Sequence, residues 1–466
     1  MMNELLRGTQ PVFLAYYVFL STGYILLDLV ALFWLRRYMA EHSLDSLPRP
    51  PSRLEPPISI LVPARNEALT LETSVRSLLQ LVYPEFEIVV INDGSTDGTM
   101  EALVKAFSLR EFPEAYRVRI PTCPVRRIYR STLHPNLRVV DKENGGKADS
   151  LNAGINAARY PLVCSIDADS ILQRDSLERV ARPFLEDPAT VAAGGTVRLA
   201  NGCEVRDGFL ISPGMPRPWL LRFQVMEYLR GFLFGRLGWS PMNGLLVLSG
   251  TFSLFRKEAV VAAGGYRPDA IGEDMELVVR LHRVLRGEGR PCRVTFVPDP
   301  VCWTEAPEDL GSLRRQRVRW QRGLAQSLWS NRGLLFHPRS GAAGWLSFPF
   351  LVSVEWMSPV LVVAGYTLTL MGFWMGVISL DAVWVFLFVE IGLGILLSVS
   401  ALLLEELSFH LYPRFRHLLI LCAAALLENL GYRQLNSIWR LTAMWPGGVK
   451  VWGRIERKAG WAKASP

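Results

Sequence analysis

Two aspartates separated by one residue, Asp167 and Asp169, follow an apolar run of strand length at residues 160–166. Residues two apart in an extended strand point to the same side, and the carboxyl ends of strands face the crevice where α/β sheets bind ligands. Carboxylates placed there repel each other unless a divalent cation lies beside them, and Mg²⁺ commonly joins such groups to substrate phosphates. The same spacing also fits a solvated loop, so the neighbouring motifs decide between the two interpretations.

Four other polar residues follow strands or begin helices in the same region. Asn66 and Glu67 come after one predicted strand, and Asp93 comes after the next in a loop rich in turn-forming residues. Lys147 follows two glycines at a predicted helix start, where backbone N–H groups favour an anion. Strands and helices alternate here, which is typical of a mostly parallel sheet. Because these loops lie at one edge of that sheet, we expect them to converge on one ligand.

Two further segments lie downstream. The predicted strand 246–256 contains Ser249-Gly250-Thr251, and a glycine within a strand suggests close approach of a ligand. Asp274 stands at the start of a predicted helix. An acidic residue there either stabilises the helix terminus or acts as a general base.

A basic amphipathic helix follows, with Trp320, Leu324 and Leu328 on one face and arginines on the others. Such a helix suits a membrane surface. Its polar residues Gln316 and Arg319 are therefore either substrate contacts or lipid anchors.

Apolar residues are concentrated near the two ends of the chain. The runs 11–35, 351–380 and 383–404 each reach the roughly 20 residues that cross a bilayer. A signal peptide is the alternative for the first run, but no small-residue cleavage site follows it. Arg36 and Arg37 come next, so the positive-inside rule predicts that the following domain is cytoplasmic.

The run 418–439 is less apolar because Glu428, Asn429 and Gly431 interrupt it. Its status stays open, and an interfacial or re-entrant segment is favoured because it leaves the basic tail inside. Glu355 and Glu390 lie within apolar runs, where charge is costly and often functional. The sequence thus predicts four parts: an N-terminal transmembrane helix 11–35, a catalytic domain 55–335 ending in the amphipathic helix, C-terminal transmembrane helices 346–440, and a basic tail 441–466.

The net charge of +8 fits anionic lipid surfaces and phosphate-bearing substrates. Nucleic acid is not expected, because the arginines mostly flank apolar runs or fall in a single motif. The six cysteines form no C-x-x-C pair. We interpret them as reduced thiols and not as disulfides or zinc ligands.

The motifs P-A-R-N-E, N-D-G-S-T-D-G-T, G-G-K-A-x-x-L-N, D-A-D, G-E-D and Q-R-V-R-W occur in this order within about residues 55–325. This series resembles the membrane-bound family 2 glycosyltransferases. The nearest group is the processive β-glycan synthases that make poly-N-acetylglucosamine, hyaluronan or cellulose. The resemblance implies a GT-A-like α/β fold, a UDP-sugar donor, and Mg²⁺ or Mn²⁺ bound against the diphosphate. Gly272 departs from the threonine that commonly begins the G-E-D motif.

The resemblance also implies a role for each candidate residue. The residues implied to bind the nucleotide sugar are Asn66, Glu67, Asp93, Lys147, Asp167 and Arg319. Asp167 and Asp169 would hold the metal, and Asp274 would be the catalytic base. Gln316, Arg319 and Trp320 would serve the acceptor and processive synthesis. Gln224, Glu227 and Tyr228 either shape the acceptor site or form a plain helix face.

The expected activity is inverting transfer from a UDP-sugar to a growing β-linked glycan at the inner or plasma membrane. The partners would be the donor, the glycan or a lipid acceptor, membrane lipids, and an accessory subunit or a second copy of the chain. A single-addition enzyme that makes a glycolipid is the alternative. A scaffold with an inactive transferase domain is disfavoured because the expected acidic and basic positions are intact.

Overall fold

The structure is a computed structural model that describes residues 2–41, 55–206, 209–412 and 414–445. Residues 42–54, which follow the predicted N-terminal transmembrane helix, and most of the predicted basic tail lie outside the described residues.

The strands of the described chain are β1 (Ile58–Ala64), β2 (Phe86–Asp93), β3 (Leu109–Glu111), β4 (Val125–Ser131), β5 (Leu137–Lys142), β6 (Leu162–Ile166), β7 (Ile171–Leu172), β8 (Thr190–Leu199), β9 (Glu204–Arg206), β10 (Phe209–Ser212), β11 (Phe252–Arg256) and β12 (Arg293–Thr304).

The α-helices are α1 (Met2–Glu41), α2 (Leu71–Leu78), α3 (Thr99–Phe107), α4 (Lys147–Ala157), α5 (Ser176–Glu186), α6 (Trp219–Leu229), α7 (Lys257–Ala262), α8 (Glu273–Gly287), α9 (Leu310–Ser330), α10 (Phe348–Phe350), α11 (Ser358–Trp374), α12 (Leu380–Ser408), α13 (Phe415–Leu427) and α14 (Arg433–Thr442). Short π-helical segments are Arg230–Arg236, Ala343–Ser347, Leu351–Trp356 and Glu428–Tyr432, and a 3₁₀ turn spans Arg332–Leu334.

One mixed sheet forms the core, with the strand order β3-β4-β5-β2-β1-β6-β11-β8-β12-β7. Its centre, β5-β2-β1-β6, is parallel, and β11 joins β6 to β8 in antiparallel pairing. The central strands are almost wholly buried, as their continuous apolar runs predict for strands covered on both faces. Helix α4 packs on β1 and β2, and α5 packs on β8 and β12. The predicted α/β fold is confirmed.

The predicted strand 246–256 is wrong in its first half, because only Phe252–Arg256 forms β11. The partner strand β6 ends at Ile166, which pairs with Phe252 as the last residue in register. Ser249, Gly250 and Thr251 precede that pair and form an irregular segment outside the strand.

Among the described residues, three helices are long and apolar enough to cross a membrane: Pro11–Glu41, Leu380–Ser408 and Phe415–Thr442. The pair Ala343–Trp356 and Ser358–Trp374 passes the same test together but is bent by 40°. Pro359 explains the bend, because a proline lacks the N–H that would continue the helix. These helices indicate a membrane protein.

The helix Phe415–Thr442 is broken where polar residues interrupt the apolar run 418–439. The helix breaks at Leu430 and at Gly431, whose φ is 116°. Glu428 is buried beside the break, pairs with Arg230, and accepts a hydrogen bond of 2.5 Å from Ser398 Oγ. Its charge is therefore compensated within the protein.

A second buried ion pair joins the sheet to the candidate spans. Arg198 of β8 donates to Glu405 of α12, and both side chains are almost fully buried. Breaking such a pair leaves one charge buried without a partner, whereas replacing both by apolar residues is far less costly.

We expect Glu405→Leu to lower the free energy of unfolding by about 3–5 kcal/mol. The double variant Arg198→Met/Glu405→Leu should recover most of this loss. The matched control Glu72→Gln breaks an exposed pair with Arg76 (2.9 Å), and we expect a change within about 0.5 kcal/mol. Thermal unfolding in nanodiscs measures the order of stability of these variants. A single variant as stable as the control would contradict this role.

Candidate active site

One cavity of about 2250 Å³ lies at the carboxyl edge of the parallel strands. The residues to which the resemblance gives a nucleotide-sugar, metal, catalytic or processivity role line it: Asn66, Glu67, Asp93, Lys147, Asp167, Asp169, Asp274, Gln316, Arg319 and Trp320. The predicted convergence of the loops is therefore observed.

Asp93 organises the glycine loop before α4. It faces Lys142 in the register of β2 and β5. Its Oδ1 accepts from Lys142 Nζ and from Gly145 N, both at 2.9 Å. Its Oδ2 accepts from Asn144 Nδ2 at 2.7 Å and from Gly146 N at 2.9 Å. The carboxylate thus fixes the backbone from which Lys147 projects.

Lys147 lies at the centre of the polar side chains. Its Nζ is 2.6 Å from Asp167 Oδ1 and 3.3 Å from Glu273 Oε1, and it donates to Gly250 O at 3.3 Å. Burial lowers the pKa of Lys147, but the nearby carboxylates outweigh that effect and raise the pKa above its usual value. Lys147 is therefore a cation throughout the neutral range.

Glu273, the middle residue of the G-E-D motif, is a site residue to which the sequence analysis assigned no functional role. It begins α8, is buried, and faces Lys147. Burial raises its pKa and neighbouring Asp274 adds to the rise, while Lys147 opposes it. No sequence pattern separated Glu273 from an ordinary acidic residue in a first helical turn.

The position of Asp274 depends on a glycine in the irregular segment. Asp274 Oδ1 accepts from Met275 N at 2.8 Å. A Cβ placed on Gly250 would lie 2.8 Å from Asp274 Oδ2, which is closer than real contacts allow. Only glycine at position 250 therefore leaves this carboxylate where it is.

A second close approach joins the G-E-D loop to α9. A Cβ on Gly323 would lie 3.1 Å from Gly272 N, so the two backbones touch. Arg319 stands one turn before Gly323 on the same helix. The contact therefore sets the distance between Asp274 and the Q-x-x-R-W motif.

Asp167 and Asp169 follow β6 and offer only oxygen donors, which suits Mg²⁺ or Mn²⁺. Within the described residues, no cluster of three or more His, Cys, Asp or Glu side chains could hold a metal alone. Mg²⁺ usually takes one or two carboxylates and completes its shell with phosphates and water. The pair fits a cation that is bound together with a diphosphate.

Asn66 and Glu67 connect the loops after β1 and β2. Asn66 has a φ of 57°, and its Oδ1 accepts from Thr96 N at 2.8 Å. Glu67 N donates to Thr99 Oγ1 at 3.0 Å. Asp97 accepts from Thr99 N at 3.0 Å, as a local cap of α3 would.

Helix α9 brings Gln316, Arg319 and Trp320 to the cavity, with Trp320 46% exposed. Arg317, on another face, lies 4.5 Å from the Trp320 ring and pairs with Glu227. Gln316 and Arg319, the polar residues of the Q-x-x-R-W motif, therefore line the cavity and are not only lipid anchors.

The sequence left open whether three residues of α6 shape the acceptor site or form a plain helix face. The structure places these residues in different surroundings. Gln224 does not line the cavity, and its side chain donates a hydrogen bond to Pro307 O at 2.9 Å. Glu227 and Tyr228 line the cavity. Glu227 also accepts a hydrogen bond from Tyr432 Oη at 2.8 Å. This bond connects α6 to the candidate membrane-spanning helix Phe415–Thr442.

The cavity continues from Asp274 towards the candidate membrane helices. Its lining there is apolar and aromatic: Tyr24, Leu27, Phe350, Leu351 and Leu397. Glu355 also lines it, accepts from Tyr24, and lies 3.6 Å from Arg440. Glu390 instead accepts from Tyr366 at 2.5 Å outside this lining.

Comparison with known proteins identifies the family. The profile of the glycosyltransferase-like family 2 matches residues 56–323, which is more than half of the chain. The chain belongs to this family. The resemblance to family 2 glycosyltransferases found in the sequence is confirmed.

Curated relatives of this family 2 glycosyltransferase include poly-β-1,6-N-acetyl-D-glucosamine synthases. The Staphylococcus aureus (strain COL) protein is 31% identical over 310 residues, covering 66% of this chain and 64% of that protein. The Staphylococcus epidermidis protein is 28% identical over 309 residues, covering 65% of this chain and 63% of that protein. The chain thus matches less than two thirds of the length of these relatives.

A solved structure shares the fold. The mannosyltransferase of Pyrobaculum calidifontis, in complex with GDP-Man and Mn²⁺, aligns with a TM-score of 0.52 at 19% identity. The alignment covers 90% of this chain and 99% of that one.

We expect Gly250→Ala to reduce turnover by about 100-fold, because the new methyl group displaces the Asp274 carboxylate from its position. The matched control is Gly287→Ala at the other end of α8, where an added Cβ has no atom within 4 Å. Nucleotide release from full-length protein measures both variants, and size-exclusion profiles confirm folding. Normal turnover in Gly250→Ala would show that the contact is unimportant.

Proposed function

We propose that this family 2 glycosyltransferase transfers a sugar from a UDP-sugar to a growing β-linked polysaccharide, of the poly-N-acetylglucosamine type, and repeats the step processively. One observation carries the proposal. Asp274 lies in a single cavity with the Lys147–Asp167 group on one side and the Q-x-x-R-W helix on the other, and that cavity continues to the candidate membrane helices.

The donor occupies the end of the cavity at the strand edge. Asn66, Glu67 and Asp93 surround the nucleoside. Lys147, at the first residue of α4, supplies a positive charge beside backbone N–H groups for the diphosphate. Arg319 offers a planar fork of donors to the same leaving group.

Asp167 and Asp169 hold a divalent cation, Mg²⁺ or Mn²⁺, at this end. When bound, the cation neutralises the charge that develops on the departing diphosphate. Lys147 adds a second, permanent compensation for the same charge.

Asp274 is the base of a single displacement. The acceptor hydroxyl oxygen bonds to the anomeric carbon, its proton passes to the Asp274 carboxylate, and the bond from carbon to the diphosphate oxygen breaks. Attack opposite to the leaving group inverts the configuration, so an α-linked donor gives a β-linkage.

The acceptor occupies the side lined by Gln316, Arg319 and Trp320, with the Trp320 ring as a surface for a sugar. The membrane end would lead the product outward, alone or with an accessory subunit or a second copy. We place the transferase region in the cytoplasm of a multi-pass protein of the inner or plasma membrane.

A single-addition enzyme that makes a glycolipid is the second candidate. The apolar lining of Tyr24, Leu27, Leu351 and Leu397 favours it, because a lipid-linked acceptor could enter there.

The deciding experiment supplies purified full-length protein in nanodiscs with UDP-glucose, UDP-N-acetylglucosamine or UDP-glucuronate and Mg²⁺ or Mn²⁺. We expect UDP release and a long polymer from one donor, sized by glycosidase digestion. A lipid-linked mono- or disaccharide as the product would instead support the single-addition glycolipid hypothesis. No release from any donor would refute the UDP-sugar proposal.

We expect Asp274→Asn to lower transfer by about 1,000-fold, since general-base catalysis contributes 10²–10⁴. UDP affinity should stay within about twofold, because the charge of the Lys147 side is intact. Asp269→Asn, an exposed residue that pairs with Arg267, is the control. Normal turnover in Asp274→Asn would remove this residue from the base role.

We expect Asp169→Ala to abolish both activity and its dependence on Mg²⁺ or Mn²⁺, because one of two protein ligands is lost. Titration of UDP release against each metal measures the effect. Asp269→Ala again serves as control. Activity that still rises with added metal would place the cation elsewhere.

A further inference from the structure

Arg236 is a cation in the cavity that the sequence analysis did not single out. It ends the π-helical segment Arg230–Arg236, and such segments are frequent at functional sites. The side chain lines the cavity and is partly buried. Its Nη1 atom is shielded from solvent and has no hydrogen-bond partner in the part of the chain that the structure describes.

The neighbouring arginines of the cavity differ from Arg236 in having protein partners. The pairs are Arg230 with Glu428, Arg317 with Glu227, Arg440 with Glu355, and Arg433 with the Asn429 amide. Buried donors are nearly always satisfied in folded proteins, and a shielded donor without a partner requires an explanation. A ligand that brings acceptor oxygens is one.

The guanidinium of Arg236 is also held in a defined orientation. It lies over the Phe232 ring, 3.8 Å from the centroid. Stacking of this kind fixes the plane of the donor fork and leaves its edge to a ligand. Burial lowers the pKa of Arg236 to about 10, an effect that Asp274 and Tyr228 oppose, so the group is charged at neutral pH.

The helices packed around Arg236 indicate its place in the cavity. The π-helical segment that contains Arg236 packs against α1 and α12, which include candidate membrane-spanning helices. Arg236 therefore lies on the side of the cavity that leads to these helices, and Asp274 lines the same cavity.

We propose that Arg236 binds the acceptor sugar, donating hydrogen bonds to its oxygen atoms while the reacting hydroxyl faces Asp274. The inference rests on the proposed glycosyl transfer and deepens it by naming an acceptor-recognition residue. The fork suits two adjacent oxygens, such as neighbouring hydroxyls or a hydroxyl and an N-acetyl carbonyl. Arg236 takes no proton in the reaction.

The test compares Arg236→Gln, Arg236→Lys and the control Arg222→Gln in full-length protein in nanodiscs. Arg222 also stacks on an aromatic ring, Trp219 at 4.6 Å, but lies outside the cavity lining. We expect Arg236→Gln to lower transfer to the acceptor by about tenfold or more, with partial rescue by lysine. The KM for the UDP-sugar and the slow hydrolysis of the donor by water should stay within about twofold of the unmodified protein.

Each other result overturns the assignment. A raised KM for the UDP-sugar would make Arg236 a diphosphate contact. Equal losses of donor hydrolysis and of sugar transfer would indicate that Arg236 positions Asp274 and does not bind the acceptor. Unchanged transfer would leave it without a role in substrate binding.

A second measurement separates this inference from the proposed function. Short oligomers of β-1,6-linked N-acetylglucosamine are titrated into Asp274→Asn protein with and without Arg236→Gln, following tryptophan fluorescence. We expect Arg236→Gln to weaken binding by about tenfold. Equal binding, or no binding with Arg236 in place, would overturn the acceptor assignment whatever the donor screen gives.

Discussion

The site depends on the compensation of carboxylates that share one partly dehydrated space. Asp167, Glu273 and Asp274 would repel one another there, and Lys147 Nζ meets the first two while holding the backbone of Gly250. The loop after β6, the start of α8 and the irregular segment before β11 are thereby joined at one cation. Lys147 reaches this point because Asp93 fixes the glycine loop before α4. The metal and diphosphate chemistry of the donor end would be added to a charge balance that the protein already provides.

Glycine determines how closely the candidate catalytic segments approach one another. Gly250 lets the irregular segment pass the Asp274 carboxylate, and Gly323 lets α9 touch the loop at Gly272. The departure of Gly272 from the expected threonine lies at this contact. A Cβ on Gly272 would meet Gly323 Cα at 3.5 Å, an ordinary distance, so Gly323 is the more restrictive position.

The sequence predicted the strands of the central sheet and the meeting of their loops, because apolar runs end at turn-forming residues and parallel strands share an edge. It missed the role of Glu273, since a first helical turn is acidic for structural reasons in many proteins. It missed Arg236 because a π-helical segment breaks the 3.6-residue period by which faces are assigned. It extended β11 too far, since an apolar run does not reveal where the partner strand ends. The functions of the individual residues stay predictions.

The region matched to the family ends at residue 323, yet the charges of that region are not balanced within it. Arg198 has its acidic partner at Glu405 and Arg230 has its partner at Glu428, both in candidate membrane helices. Glu227, which pairs with Arg317 inside the region, also accepts from Tyr432. Removing the carboxylate of Glu405 or Glu428 would leave its arginine without this acidic partner, which is strongly destabilising for a buried pair. Since Arg230 begins the π-helical segment that ends at Arg236, the candidate membrane helices help to shape the side of the cavity where Arg236 lies.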